Sequence, residues 1–245
     1  MDKLKKIIDK REWYHTSKPL NVFENRLKDM MNLQVSTISS NIPESSKNEA
    51  KKQYLVMLVT CYETYAREIF KIIIDDNLVP LSKLMKLKKI KDAKFTIEDI
   101  EFIKNKDIKL SELISEYINF QNFEELISAF SLININKNVE EKLKSKDDLM
   151  PLPDSKLLKK SKSGGDVINE FFKQFVKHKK LFDKRKLYSQ INLLLRARHK
   201  IIHNNIDIKI EQEDVVLMTA AVYEFVIILD RILQDIRVKR KIVKK

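Results

Sequence analysis

The chain of 245 residues is 43% hydrophobic and has a formal net charge of +13, so its length and apolar content allow a sizeable core and exclude a disordered polypeptide. It contains only two glycines and five prolines, which disfavours sheet-rich folds because those need turn residues at short intervals. The composition therefore predicts an all-α protein. The positive charge favours a polyanionic partner such as nucleic acid, whereas the alternative is that the lysines only solvate the surface and reflect genomic base composition.

The cellular compartment is predicted from the single cysteine and from the start of the chain. Cys61 lies within an apolar stretch and has no partner in the chain for a disulfide, which suits a reducing environment. The first six residues lack the apolar run of a signal peptide, and no uninterrupted apolar stretch is long enough for a bilayer span. We expect a cytoplasmic protein without a membrane partner.

Three helices are predicted before the first long lysine-rich region. A short helix occupies about 1–11, and apolar residues at helical spacing predict a second from Asn21 to about Ser39. Pro43 and the serines after it mark a break. A core helix then follows from Asn48 to about Asp75, the longest apolar segment in this half of the chain.

Glu63 lies on the edge of the buried face of that core helix. Arg67 follows four residues later, the spacing at which an acid and a base on one helix form an ion pair. In the alternative, Glu63 reaches a later helix that carries arginines and histidines, and orients their side chains. The spacing leaves both interpretations open.

The region at about 80–166 is interpreted as a helical, lysine-rich insertion between core helices at about 20–76 and 167–238, all within a single domain of 1–245. Pro80 ends the preceding core helix. The lysines that follow are candidates for nucleic-acid binding, in particular Lys83, Lys86, Lys88 and Lys89.

Only short helices are predicted inside this insertion. Thr96 with Asp99 three residues later predicts a capping box, and helices are predicted at Ser111–Phe120 and Phe123–Leu132. Prolines, further lysines and the only two glycines of the chain predict a loop from Lys142 to Asp166.

The strongest functional pattern is the stretch from Leu193 to Asn205, which reads L-L-L-R-A-R-H-K-I-I-H-N-N and holds two of the four histidines. With about 100° per residue on a helix, His199 and His203 lie within roughly 40° of each other, and Arg196 lies about 20° from His203. Arg198 falls about 140° from His203. This places it near the middle of an apolar face, which is formed by Leu187, Ile191, Leu194, Ile201 and Ile202.

A charged side chain on an apolar face requires an explanation. The simplest is that the arginine stem passes its apolar neighbours and the head reaches water, while the histidines have structural roles. A desolvated guanidinium without a partner, however, costs on the order of several kcal/mol, so it must be paired or lined by water. A cleft between two packed bodies would supply that environment.

At these residues the chain resembles the HEPN superfamily, helical proteins many of which are metal-independent ribonucleases. Their signature is an arginine, a polar residue, a few variable residues and a histidine. Arg198, His199 and His203 match it in order, and Arg196 also stands at a permitted spacing from His203. The resemblance implies a helical bundle in which this helix carries the active site.

Two further segments extend the resemblance. The segment Y-L-V-M-L-V-T-C-Y-E at 54–63 looks like an early core helix of the RiboL-PSP and MAE-type HEPN branch, and 211–233 looks like its closing helix. Asn204 and Asn205 are predicted to end the helix that carries the arginines and histidines, before this closing helix begins. The resemblance implies a two-fold dimer with a composite site. The family is frequent in toxin–antitoxin and phage-defence systems, so the resemblance also implies a ribonuclease whose activity is restrained.

The chemistry that this resemblance implies uses RNA's own 2'-hydroxyl as nucleophile. A base removes the hydroxyl proton, negative charge develops on a phosphorane, and the 5'-oxygen leaves with a proton. Histidine suits the proton transfers because it changes charge near neutral pH, and arginine can donate to two non-bridging oxygens at once. We assign His203 as general base or acid, Arg198 as phosphate ligand and His199 as an assisting group.

Other residues receive lesser roles. Glu63, Arg196 and Asn204 are assigned as supporting residues, and Lys200 joins the candidate RNA-binding lysines. No zinc-ligand spacing, phosphate-binding glycine loop or nucleophile elbow is present in the sequence. No metal or cofactor is therefore expected.

The predicted function is a metal-independent endoribonuclease that leaves a 2',3'-cyclic phosphate and acts as a toxin or phage-defence effector. Its partners would be RNA, a second copy of the chain, and possible antitoxin or defence proteins. The first alternative is a non-catalytic HEPN-like dimer that binds RNA or protein. The second is a helical scaffold in which the motif is a coincidence.

Overall fold

The computed structural model describes residues 4–8, 18–144, 182–203 and 208–243, and no strand occurs within these ranges. We label residues 4–8 as helix α1. The other helices are α2 (Pro19–Ser39), α3 (Glu44–Asp75), α4 (Leu81–Leu84), α5 (Lys88–Lys91), α6 (Ile97–Asn105), α7 (Leu110–Tyr117), α8 (Phe123–Phe130), α9 (Ile135–Lys144), α10 (Lys184–His203) and α11 (Gln212–Val243). The predicted all-α fold is confirmed.

Helix α3 is the centre of the core, because α2, α7, α10 and α11 all pack against it. Its aromatic side chains join the neighbouring helices: the ring of Tyr65 lies 5.6 Å from that of Phe23 on α2, and Tyr62 lies 6.0 Å from Phe225 on α11. The Tyr54 and Thr219 hydroxyls form a hydrogen bond of 2.9 Å. Burial within this core raises the pKa of the Cys61 thiol to about 12.

The relative direction of α3 and α10 follows from contacts at their ends. Asn48, at the start of α3, hydrogen-bonds to Ile208 and Ile210, which lie beyond the end of α10. Tyr188, near the start of α10, packs 6.2 Å from the ring of Phe225, which lies at the level of Tyr62 in α3. Helix α10 therefore runs antiparallel to α3.

The short helices between α3 and α10 share the same core. Phe120 and Phe130 pack edge-on or tilted against Phe70 of α3 and against each other. The predicted capping box is present: the Asp99 backbone N–H donates to Thr96 Oγ1, and the Thr96 backbone N–H donates to the Asp99 carboxylate, each at 3.1 Å. A smaller cluster joins Leu4 and Ile7 of α1 to Ile108.

Several predicted boundaries were wrong. Pro43 caps α3, whose first turn includes Ser45 and Ser46, so the predicted break after Pro43 is helical. The helix α9 at Ile135–Lys144 was not predicted, and it includes the first residues of the predicted loop from Lys142 to Asp166. The rest of that loop lies outside the described residues. The closing helix α11 continues to Val243, ten residues beyond its predicted end.

Candidate Arg/His site

Helix α10 presents a buried face and an exposed face at its C-terminal end. The buried residues are Leu187, Ile191, Leu194 and Leu195, which pack into the main core. Arg198 continues this face one turn later, as the helical rotation predicted, and is half-buried. The side chains of Ile201 and Ile202 complete the turn, but Ile202 is 44% exposed. The apolar face therefore begins to leave the core at Arg198.

The guanidinium of Arg198 is not satisfied within the described part of the chain. Its Nε atom is buried and has no hydrogen-bond partner there. A buried N–H of a charged group without an acceptor is expensive, because the energy lost on leaving water is not recovered. Since the atom is buried in the single chain, an anion or an acceptor from another molecule can reach it only when the side chain turns outward.

His199 and His203 form a pair on the other side of the same turn. Their ring centroids lie 4.6 Å apart with an interplanar angle of 47°. Both side chains are exposed, as is Arg196 one turn before His199. The structure thus brings these three together on one face, while Arg198 points towards another. The assigned residues do not converge on one point within a single chain.

The chain that follows this turn is held by the start of α3. The side-chain amide of Asn48 donates to the Ile208 carbonyl and accepts from the Ile210 backbone N–H, both at 2.9 Å. Lys51 Nζ donates to the Ile210 carbonyl at 3.0 Å. These two residues were missed by the sequence analysis, since nothing in the local pattern around Asn48 indicates a partner 160 positions away.

Two charges in the same segment form an exposed pair. Lys209 Nζ lies 2.9 Å from a carboxylate oxygen of Glu211. This hydrogen bond lowers the pKa of Glu211 and raises that of Lys209. The pair leaves both side chains in solvent, so it neutralises one positive charge close to the exit of α10. Asn204, assigned as a supporting residue, lies outside the described residues.

The carboxylate of Glu63 binds Arg67 and Gln121 and not the arginine and histidine side chains of α10. One carboxylate oxygen accepts from Arg67 at 3.0 Å, and the other accepts from the side-chain amide of Gln121. Arg67 also donates to the Ser115 carbonyl at 2.7 Å and to Glu116 at 3.0 Å. Of the two interpretations of Glu63, the structure shows the ion pair with Arg67. This network holds α7 against α3.

The candidate RNA-binding lysines are divided between two places. Lys200 is exposed on α10 beside the histidines, whereas Lys83 and Lys86 are exposed after α3. Lys89 is paired with Glu125 of α8 at 2.7 Å, and α8 packs against the first turns of α10 through Phe123 and Tyr188. Lys89 therefore lies near the end of α10 that is remote from the histidines. The side chain of Lys88 is not described.

The part of the chain that the structure describes contains neither a cluster of three metal-binding side chains nor a membrane-spanning helix. No three side chains among histidine, cysteine, aspartate and glutamate are grouped so that they could hold a metal ion in ranges 4–8, 18–144, 182–203 and 208–243. Within the same ranges, no helix combines the length and apolar character required to cross a membrane.

Comparison with known families decides the relationship. The family model described as RiboL-PSP-HEPN matches residues 21–235, which include most of α2, all of α3 to α10 and most of α11. The chain belongs to the RiboL-PSP-HEPN family. Comparison with curated proteins and with solved structures gives no match. In this RiboL-PSP-HEPN chain, Arg198 to His203 occupies the last turns of the penultimate described helix.

Proposed function

We propose that this RiboL-PSP-HEPN chain is a metal-independent endoribonuclease whose site is completed by a second copy of the chain. The observation that carries the proposal is the buried, unpartnered Nε of Arg198 on the same helical turn as the exposed His199–His203 pair. An arginine with a free donor suits a phosphate, and a solvent-accessible histidine suits proton transfer.

Each of the three side chains, His203, Arg198 and His199, has its own role in the cleavage reaction. His203 accepts the proton of the 2'-hydroxyl as its oxygen attacks the adjacent phosphorus, or donates a proton to the departing 5'-oxygen. Arg198 donates hydrogen bonds to the non-bridging oxygens as negative charge accumulates on the phosphorane. His199, 4.6 Å from His203, assists the proton transfer or holds the phosphate. The P–O5' bond breaks, leaving a 2',3'-cyclic phosphate and a 5'-hydroxyl.

A second copy of the chain is proposed because the assigned groups diverge. Arg198 and His203 are about 140° apart around an α-helix, so a two-fold axis beside α10 would place Arg198 of one copy opposite His203 of the other. An exposed apolar side chain on α10 supports a contact there, since Ile202 is 44% exposed and lies between Arg198 and His203 around the helix. We further propose that the activity serves a toxin or phage-defence role in the cytoplasm, restrained by an antitoxin or partner protein.

The decisive experiment is cleavage of a mixed RNA pool in EDTA, followed by analysis of the cut ends. We expect 2',3'-cyclic phosphates and 5'-hydroxyls, and a loss of about 10²- to 10⁴-fold in rate for His203→Ala, since that is the usual contribution of one general acid–base group. His199→Ala should lose less, and His178→Ala, which changes a histidine outside the stretch from Leu193 to Asn205, serves as the histidine control. Undiminished cleavage by His203→Ala, or 3'-hydroxyl ends, would contradict this mechanism. RNA binding without any cleavage would favour the non-catalytic dimer.

The composite arrangement has its own test. Arg198→Ala and His203→Ala should each be inactive alone, yet a mixture allowed to exchange subunits should recover roughly a quarter of wild-type activity, because half of the dimers then contain one intact site. Dimer formation is checked by light scattering at micromolar concentration. If the mixture stays inactive although heterodimers form, both groups must act from the same chain.

A further inference from the structure

The exposed face of α10 has an unusual charge pattern. The helix reads K-R-K-L-Y-S-Q-I-N-L-L-L-R-A-R-H-K-I-I-H and contains no acidic residue in 20 positions. On α3, by contrast, cations are matched by nearby acids, as in the pairs Lys52–Glu49 at 2.6 Å and Lys71–Glu68 at 2.8 Å. The positive charge of α10 is therefore not neutralised along its own length.

The cations on this face lie in a row. Rotation at about 100° per residue places Arg185, Ser189, Arg196 and Lys200 on one side of the helix, with the two histidines at its C-terminal end. All four side chains are exposed, and none has a hydrogen bond or ion pair with another described residue. Lys184 differs, because it turns to the other side and pairs with Glu140 of α9 at 3.6 Å.

We propose that this face, which we call the α10 track, binds a single RNA strand that extends from the histidine pair towards Arg185. The site of cleavage at the histidines rests on the proposed function. The track spans about 27 Å from Arg185 to His203 at 1.5 Å per residue, long enough for a strand of several nucleotides. Its cations bind phosphates and position the strand without reading bases.

A single strand fits the track better than a duplex. The row is one helix wide, so it can follow one phosphate chain, whereas a duplex presents phosphates on both sides of a groove. The neutral side chains between the cations, Ser189 and half-buried Asn192, offer hydrogen bonds to sugar hydroxyls. Arg185 is the distal contact, remote from the reacting phosphate, and is therefore the residue that tests the track.

The test compares Arg185→Gln with Lys186→Gln on RNA substrates of increasing length. Both variants remove one exposed positive charge from the same turn, but Lys186 points about 100° away. With a single-stranded 12-mer, Arg185→Gln should raise KM about three- to tenfold and leave kcat unchanged, because a distal phosphate contact contributes to binding only. With a dinucleotide, both variants should match wild type.

Binding measured by fluorescence anisotropy at several salt concentrations provides a second readout. Losing one phosphate contact should reduce the slope of log affinity against log salt by about 0.7 for a single strand, in Arg185→Gln and not in Lys186→Gln. A wild-type chain that binds a 12-mer duplex more tightly than the strand would overturn the single-strand assignment.

The two proposals fail in distinguishable ways. Suppose that wild type cleaves RNA, but Arg185→Gln and Lys186→Gln have the same KM at every RNA length and the same affinity at every salt concentration. The proposal that the α10 track binds RNA is then wrong, and the nuclease proposal stands. If wild type cleaves nothing, the nuclease proposal fails, and the anisotropy slopes alone decide the track. A reduced slope in Arg185→Gln then supports it, and equal slopes overturn it.

Discussion

Two arginines on core helices, Arg67 and Arg198, differ in the hydrogen-bond partners of their guanidinium groups. Arg67 donates to Glu63, Glu116 and the Ser115 carbonyl, and its guanidinium lies 5.5 Å from the centre of the Phe120 ring. Arg198 has a buried Nε without an acceptor in the described residues. Both are placed by helical periodicity towards other helices. The guanidinium of Arg67 holds two helices together, whereas that of Arg198 keeps a donor without an acceptor in the described residues.

This difference indicates where to look for function. The partners of a buried, fully paired guanidinium offset its desolvation cost, so they must stay in place for the fold to persist. A buried donor without an acceptor destabilises the isolated chain, so an acceptor supplied by RNA or a second copy would recover that free energy on binding. Substitutions at the two arginines should therefore separate stability from activity.

The largest effect on stability is expected at Arg67. Arg67→Ala removes the cation that two poorly exposed carboxylates, Glu63 and Glu116, share, and should lower the free energy of unfolding by about 3–5 kcal/mol. Urea denaturation measures it. Lys47→Ala, on the same helix, removes a cation whose partner Glu44 is 83% exposed, and should cost little. Equal midpoints for the two variants would mean that the Arg67 network is not important for the fold.

An intermediate effect is expected at Asn48, which holds the segment after α10. Asn48→Ala removes two hydrogen bonds and should cost about 1–3 kcal/mol. Asn48→Asp keeps the acceptor for the Ile210 N–H and loses only the donor to Ile208. Hydrogen exchange at the Ile210 amide should therefore accelerate in the alanine variant and much less in the aspartate variant. The same exchange rate in all three proteins would exclude this contact.

The smallest effect on stability is expected at Arg198. Arg198→Leu replaces an unpartnered buried donor with an apolar side chain on an apolar face, so the unfolding free energy should stay unchanged or rise by about 1 kcal/mol. RNA cleavage should nevertheless be lost. The comparison uses a fixed protein concentration, because dimerisation affects apparent stability. A loss as large as that of Arg67→Ala would show that Arg198 is a structural residue with partners of its own.

Residue spacing was enough to predict the helical class, the core helices α2 and α3, the capping box at Thr96 and the faces of α10. These properties depend on residue spacing, because 3.6 residues per turn assigns each side chain to a face before any partner is known. The same rotation showed that Arg198 and His203 diverge. The four-residue spacing of Glu63 and Arg67 allowed an ion pair, but it did not show whether the pair forms.

Packing between helices, in contrast, sets which polar side chains find hydrogen-bond partners. Glu63 joined Arg67 because α7 brought Glu116 and Gln121 to the same point, and Asn48 met Ile210 because α3 and α10 run antiparallel. The contacts with Glu116, Gln121 and Ile210 join positions 49, 58 and 162 residues apart, so no local spacing encodes them. Satisfaction of a buried polar group depends on what packs over it. For Arg198, nothing described in the chain supplies an acceptor for Nε.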